Sequence, residues 1–272
     1  MCKNVISNFA MIVVSCDNYS DLVNTFFNLQ KKYMSWFNNN IYLINETTEF
    51  YDINAIQIHV GKDVNWTKKV EIALNQIKED YLLFMLEDYF IGNDVNENYI
   101  SSAVDIMKKN NLKYYRITAI PNSNKKSKYA DYLSAIPNNL RYGINLQCAI
   151  FRKDFLYEII KGKDRNAWQA ETDLLKKIGK KYEFNIDGCV LDNRNIIDIH
   201  NGVIKGKFVP STIKFFKKKG ILISNKNRKT LSCLEVFSIK LKKFIGKLIP
   251  QSLIPKLKKT LKKFGFKFVS DN

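Results

Sequence analysis

Histidine is scarce in these 272 residues, with only His59 and His200, and the five cysteines form no C-x-x-C pair. Cys2, Cys16, Cys148, Cys189 and Cys233 are odd in number and scattered, which argues against a zinc site and against a disulfide framework. A reducing compartment fits that usage best. No apolar run approaches the ~20 residues that cross a bilayer, and no internal repeat is visible. Acidic residues all but vanish from the last quarter: residues 203–272 hold 19 Lys and Arg against Glu235 and Asp271 alone. The first 202 residues are left with 25 basic and 24 acidic side chains, so the net charge of +18 is a C-terminal property. With 46% hydrophobic and 13% aromatic residues the chain is not disordered, and its length suits one large α/β domain or two small ones.

What is present is a series of short apolar runs alternating with helical spacing. Phe9 to Cys16 reads as a buried strand; Val13-Val14-Ser15-Cys16 also looks like a lipoprotein processing site, but only Lys3 charges the region before it, and a core strand is the better reading. Ser20 or Asp21 can then cap a helix carrying Leu22, Phe26, Leu29 and Tyr33 on one face. Ile41–Ile44 and Ala55–Val60 are the next strands, and Trp66-Thr67 opens a helix with Val70, Leu74 and Ile77 on one side. It leads into Tyr81–Leu86, an apolar run that ends in Glu87-Asp88. Strand and helix in alternation imply a parallel sheet with crossover helices.

Further on, a helix over Tyr99–Lys109 and a strand over Tyr114–Ile117 precede a polar stretch, Pro121–Asn139, that reads as one long loop. Leu146–Phe151 resumes a strand, Asp154 caps a short helix, and Asn166 enters another helix ending near Gly179. Tyr182–Asp187 and Ile196–His200 read as later strands. In the basic tail, Ser238–Leu248 and Lys256–Phe266 each place apolar residues on one face and lysines opposite, with Pro250 and Pro255 between them. Such a pair suits an anionic membrane surface; nonspecific nucleic-acid binding and a solvated appendage are the other readings.

Parallel sheets bind ligands where their strands end. Glu87 and Asp88 therefore stand at the mouth of a crevice, where they either cap the next turn or offer oxygen ligands to Mg²⁺ or Mn²⁺ and a phosphate-bearing substrate. The order Val13-Val14-Ser15-Cys16-Asp17-Asn18-Tyr19-Ser20-Asp21-Leu22, then Trp66-Thr67-Lys68-Lys69-Val70, then Leu86-Glu87-Asp88-Tyr89-Phe90 resembles bacterial surface-polysaccharide glycosyltransferases of the GT-A fold. Gln147–Arg152, Ala167–Glu171 and His200–Lys207 extend the likeness over roughly the first 210 residues.

The resemblance implies a GT-A-like, Rossmann-type, mostly parallel sheet flanked by helices over residues 1–210, with a basic amphipathic helical extension at 211–272. Residues 1–90 would form the nucleotide-sugar half and 91–210 the acceptor half. It implies Asp17 at the donor's base or ribose, Lys69 near its phosphates, and Glu87-Asp88 at the D-x-D position, where Tyr89 replaces the second aspartate. It also implies Asp88 and His200 as ligands of a divalent cation, with Lys205 and Lys207 neutralising the diphosphate.

A carboxylate at the start of the helix after Trp168, Glu171 in preference to Asp173, can take a proton from an acceptor hydroxyl; its plain alternative is helix-dipole compensation. The expected activity is transfer of a sugar, with inversion, from a nucleotide-diphosphate donor to a lipid-linked or surface glycan. The expected site of action is the inner face of the cytoplasmic membrane. Two rivals are a sugar nucleotidyltransferase, which needs a glycine-rich basic loop after the first strand, and a nonenzymatic protein acting through its tail.

Overall fold

The structure is a computed structural model that describes residues 5–118, 120–138, 140, 142–178, 186–224 and 228–248. It separates into two compact units, residues 1–202 and 203–272.

The first unit is built on one eight-stranded sheet. Strands β1 (Phe9–Val14), β2 (Ile41–Asn45), β3 (Ile56–His59) and β4 (Tyr81–Leu86) run parallel in the order β3-β2-β1-β4. A separate antiparallel pair is made by β5 (Tyr89–Ile91) and β10 (Ile199–Asn201). Beyond β4 the sheet continues through β8 (Ala149–Arg152), β6 (Tyr114–Arg116), β9 (Cys189–Asp192) and β7 (Leu133–Ala135). There β8 is antiparallel to both of its neighbours, β6 and β9 are parallel, and β7 closes the edge antiparallel. The architecture is thus α/β with a mostly parallel central sheet, as the alternation in the sequence implies.

The helices of this unit are α1 (Ser20–Tyr33), α2 (Trp66–Leu74), α3 (Glu97–Lys109), α4 (Lys153–Ile160) and α5 (Ala167–Ile178). Every residue of β1 is buried, because both faces of a central parallel strand are covered. Side chains alternate between those faces. Ala10, Ile12 and Val14 join Leu82 and Phe84 against Val70 and Ala73 of α2, Leu156 and Ile159 of α4 and Ala170 of α5. Each of the larger side chains among them, Ile, Val, Leu or Phe, contributes about 1.5–3 kcal/mol by leaving water. The strand ends are therefore fixed by a large apolar core.

Four expectations change. The stretch from Pro121 to Asn139 contains β7, held in the sheet by pairing with β9, so it is not one continuous loop. The later strand is Cys189–Asp192, entered through Gly188 at φ +81, a left-handed turn that glycine adopts without strain; residues 182–185 lie outside the described ones. Asp154 does not cap α4: the N-cap is Arg152, and the Asp154 carboxylate sits in the first turn, 2.6 Å from Arg152 Nε. The last described helix starts five residues earlier than the apolar spacing suggests, as described next.

In the second unit, β11 (Val203–Ile204) and β12 (Lys207–Phe208) form a hairpin whose two turn residues, Lys205 and Gly206, have φ of 52 and 73. Two residues of positive φ match the twist of a tight hairpin. Helix α6 (Pro210–Lys218) begins with proline in its first turn, where a missing N–H costs nothing. Helix α7 (Cys233–Leu248) begins at a reciprocal cap: Ser232 N donates to Glu235 Oε2 at 2.9 Å and Glu235 N to Ser232 Oγ at 3.3 Å. That cap sets the start of α7 ahead of Ser238. The second expected tail helix, Lys256–Phe266, lies outside the described residues. No described helix is long and apolar enough to cross a membrane.

Candidate functional site

The site grows from the carboxyl ends of β1, β2 and β4, which lie side by side with Val14 opposite Ile44 and Leu86. The chain leaves these strands through Asp17, Glu46 and Glu87-Asp88 respectively. Glu46 escaped the sequence reading, although it follows the β2 run as the others follow theirs. Its two oxygens join the first two exits. Glu46 Oε2 accepts from Asp17 N at 2.9 Å, and Oε1 accepts from Lys69 Nζ at 2.7 Å.

Lys69, on α2, is only 4% exposed and also donates to Ser15 O at 3.4 Å. Its ammonium is thus directed at protein groups beneath the strand ends. The Asp17 carboxylate, in turn, accepts from the amides of Thr47 and Thr48 at 3.1 and 3.0 Å and from their hydroxyls at 2.5 and 2.8 Å. Five acceptor and donor groups from two strand exits are locked into one clasp.

The Thr47 hydroxyl above all holds the Asp17 carboxyl well below the usual carboxylate range. A depressed folded-state pKa gives stability that is present above the unfolded value, about 3.9, and lost as pH falls below it. Asp17 is only half-buried, so solvent screening keeps the effect small. Asp17→Asn is expected to lower the melting temperature slightly at neutral pH and to flatten the acid limb below about pH 4, so that variant and wild type converge at low pH. An unaltered acid limb would show that the clasp contributes no linkage.

On the other side of β4, Glu87 is buried, Asp88 is half-buried and Tyr89 is 9% exposed. Burial drives the Tyr89 phenol far above its ordinary range, and the carboxylates of Asp88, Glu171 and Glu87 push it the same way. Glu87 and Asp88, beside Tyr89 in the chain, and Glu171, from α5, thus all act on the same phenol. Glu171 comes from the second turn of α5, and its Oε1 accepts from Leu146 N at 2.8 Å, the residue just before the approach to β8. Burial raises the Glu171 carboxyl, and the Leu146 amide partly offsets the rise. Asp173, two positions on, is directed elsewhere and pairs with Arg165 at 3.4 Å. The helical period separates the two candidate bases.

Arg116 is a second residue that the sequence reading passed over. It is fully buried at the end of β6 and donates to Thr118 O at 2.9 Å, Tyr142 O at 3.2 Å and Gly143 O at 2.7 Å, and also to Pro121 O. A guanidinium donating to four backbone carbonyls ties the segment after β6 to the one leading toward Leu146. A lone arginine inside a strand gives no local signal of this.

His200 lies on β10 opposite Phe90, and the N–H of Gly202 donates to Asp88 O at 2.7 Å. The strand carrying His200 is thereby joined to the Asp88 turn. The imidazole itself lies against Gly92, with Nε2 3.2 Å from Asp198 Oδ2. A Cβ on Gly92 would come within 2.6 Å of that pair, and one on Gly202 within 2.7 Å of the Phe90 ring, so both glycines permit close approach.

Among the described residues, no group of three or more His, Cys, Asp or Glu is gathered to hold a metal ion. A complete protein cage is therefore not formed there. The adjacent Glu87 and Asp88 carboxylates still fit the chemistry of a Mg²⁺-like ion, which is commonly held by one or two carboxylates with substrate phosphates and water completing the shell.

Lys205 and Lys207 belong to the second unit. Lys205 occupies the hairpin turn, and Lys207 Nζ lies 2.6 Å from Glu235 Oε1.

No family profile matches the sequence, and neither does any curated protein. Several solved structures align with part of the chain at low identity. S. aureus TarS 1-349 in complex with UDP-GlcNAc aligns at 13% identity over 70% of this chain and 57% of that one, with a TM-score of 0.45. The mannosyltransferase PcManGT from Pyrobaculum calidifontis, in complex with GDP-Man and Mn²⁺, aligns at 10% over 73% and 58%, with a TM-score of 0.40. Bifunctional IspDF from Campylobacter jejuni aligns at 10% over 65% and 52%, at 0.36. The chain spans between 36% and 59% of the TarS chains it matches. At these scores the likeness assigns no activity.

Proposed function

We propose that residues 1–202 bind a nucleotide-diphosphate sugar across the ends of β1, β2 and β4 and transfer its sugar to a hydroxyl of a glycan or glycolipid. The observation that carries this reading is Glu171: a carboxyl raised by burial and oriented by Leu146 N, whose charge acts on the Tyr89 phenol that follows Glu87 and Asp88. A raised carboxyl is better matched to a proton at neutral pH than an ordinary one.

In the step, the acceptor O–H proton passes to Glu171 as the oxygen forms a bond to the anomeric carbon. The bond from that carbon to the diphosphate breaks, and its electron pair leaves with the phosphate; attack from the opposite face inverts the centre. The Asp17, Thr47 and Thr48 clasp shapes the nucleoside end, within the donor half formed by residues 1–90. Asp88 with Glu87 would hold a divalent cation, which when bound would neutralise charge at the diphosphate.

The resemblance in sequence favours an acceptor of the lipopolysaccharide, capsule or O-antigen kind, used at the inner face of the cytoplasmic membrane. The nucleotidyltransferase rival needs a glycine-rich basic loop after β1; this chain has the short 3₁₀ turn Asp17–Tyr19 running into α1.

Thermal unfolding across UDP- and GDP-sugars, with and without Mn²⁺, tests the reading. One donor class is expected to raise the melting temperature, by the equivalent of about 2.7 kcal/mol at a hundredfold excess over Kd. If no nucleotide sugar shifts it under any metal condition, the proposal fails.

A further inference from the structure

Helix α7 leaves large apolar side chains in water. Leu234 is 82% exposed, Phe237 64% and Leu241 43%. Positions i, i+3 and i+7 share one helical face, and the sequence continues that spacing with Phe244, Ile245 and Leu248. Val236 and Ile239, on other faces, are half-buried, so the exposure is confined to one stripe. The helix is not a frayed end that happens to be bare. Its first turn is fixed by the Ser232 and Glu235 cap, and Glu235 also binds Lys207 at 2.6 Å.

That pairing decides the electrostatics. Residues 203–272 hold 19 Lys and Arg and two acidic residues, and Glu235 uses one oxygen on Lys207 and the other on the Ser232 amide. The remaining field is strongly positive, with Lys240 next to Leu241 and Lys217 to Lys219 closing α6. An apolar stripe flanked by cations is complementary to an anionic bilayer, whose headgroups attract the lysines while its acyl region accepts the stripe. Nucleic acid would engage the lysines and leave Leu234, Phe237 and Leu241 in water.

We infer that the Leu234, Phe237 and Leu241 face of α7 is a membrane-docking surface that inserts into anionic lipid. This deepens the membrane part of the function proposed above and does not depend on catalysis. Vesicle binding and donor binding are read separately, so either can fail alone.

The test uses the full chain with vesicles of phosphatidylcholine alone or mixed with phosphatidylglycerol. Wild type is expected to sediment with the mixed vesicles and only weakly with the neutral ones. The triple variant Leu234→Gln, Phe237→Gln, Leu241→Gln keeps every charge and is expected to weaken binding by about tenfold or more, with the donor-induced melting shift unchanged. Equal vesicle binding by the triple variant, or binding to single-stranded RNA but not to vesicles, would overturn the inference.

A second variant guards against misfolding of the first. Phe237→Trp, read as the difference from wild type with its Trp36, Trp66 and Trp168, is expected to gain a blue-shifted emission on vesicles that lipids brominated in the acyl chain quench. A difference emission already blue-shifted before vesicles are added, and unchanged after, would show the face covered by another part of the chain and equally overturn the inference.

Discussion

Replacing Glu171 by glutamine is expected to lower kcat by about 10²–10⁴-fold, the usual contribution of a positioned general base, without loss of stability. Glutamine keeps an oxygen for the Leu146 N–H, which now lies at 2.8 Å from the carboxylate, so the local geometry survives. What disappears is a charge held out of water. Burial raises the Glu171 carboxyl, which means that deprotonation is harder in the folded protein than in the unfolded chain. A raised folded-state pKa gives stability that is full below the unfolded value, about 4.3, and lost as pH rises through the folded one.

Wild type should therefore lose stability over that interval and Glu171→Gln should not, leaving the variant as stable or more stable at pH 7. The acid limb of the kcat profile should follow the same raised group. Asp173→Asn provides the contrast, since Asp173 faces Arg165 and should cost only a few-fold at most. A large loss from Asp173→Asn together with full activity of Glu171→Gln would exchange the two roles.

Lys69→Met should have the largest effect on stability. Lys69 is 4% exposed, and its ammonium satisfies Glu46 and Ser15 O. Removing one partner of a buried ion pair leaves the other uncompensated, at a cost of about 3–5 kcal/mol. Glu46 is 21% exposed at its side chain, so the lower end of that range is expected in urea unfolding.

Glu46→Gln added to Lys69→Met should restore part of the loss, because the amide is neutral and can still accept from Asp17 N. The pair also tests what Lys69 does for the donor. If Lys69→Met unfolds within about 0.5 kcal/mol of wild type, the range of an ordinary surface substitution, yet loses donor binding, the ammonium acts on the phosphates directly. If stability and donor binding fall together and recover together in the double variant, Lys69 acts through Glu46 and the Asp17 clasp.

Much of the fold was legible because it rests on local patterns. The apolar runs at Phe9, Ile41 and Tyr81 and the helical spacing of Leu22, Phe26, Leu29 and Tyr33 appear in the structure as β1, β2, β4 and α1. β7 was missed because three residues, Leu133–Ala135, make no periodic signal alone; the partner strand β9 holds them in place. The start of α7 was missed because apolar spacing was read and the Ser232-x-x-Glu235 cap was not.

Within the candidate site, residue types that end strands were readable one at a time, as with Asp17 and Glu87-Asp88. Their partners were not, since each comes from more than twenty residues away: Thr47 and Thr48 for Asp17, Glu46 for Lys69, Leu146 for Glu171.

The α/β alternation, the carboxylates at the strand ends and the concentration of positive charge after residue 202 are written locally, because periodicity, turn chemistry and composition act over a few neighbouring residues. Tertiary packing set the rest: β8 enters antiparallel between β4 and β6, Lys69 turns inward to Glu46, Glu171 accepts from Leu146 N while Asp173 pairs with Arg165, and His200 lies on Asp198. Those outcomes depend on which strand lies beside which and in what register, and register is set by the packing of the whole sheet.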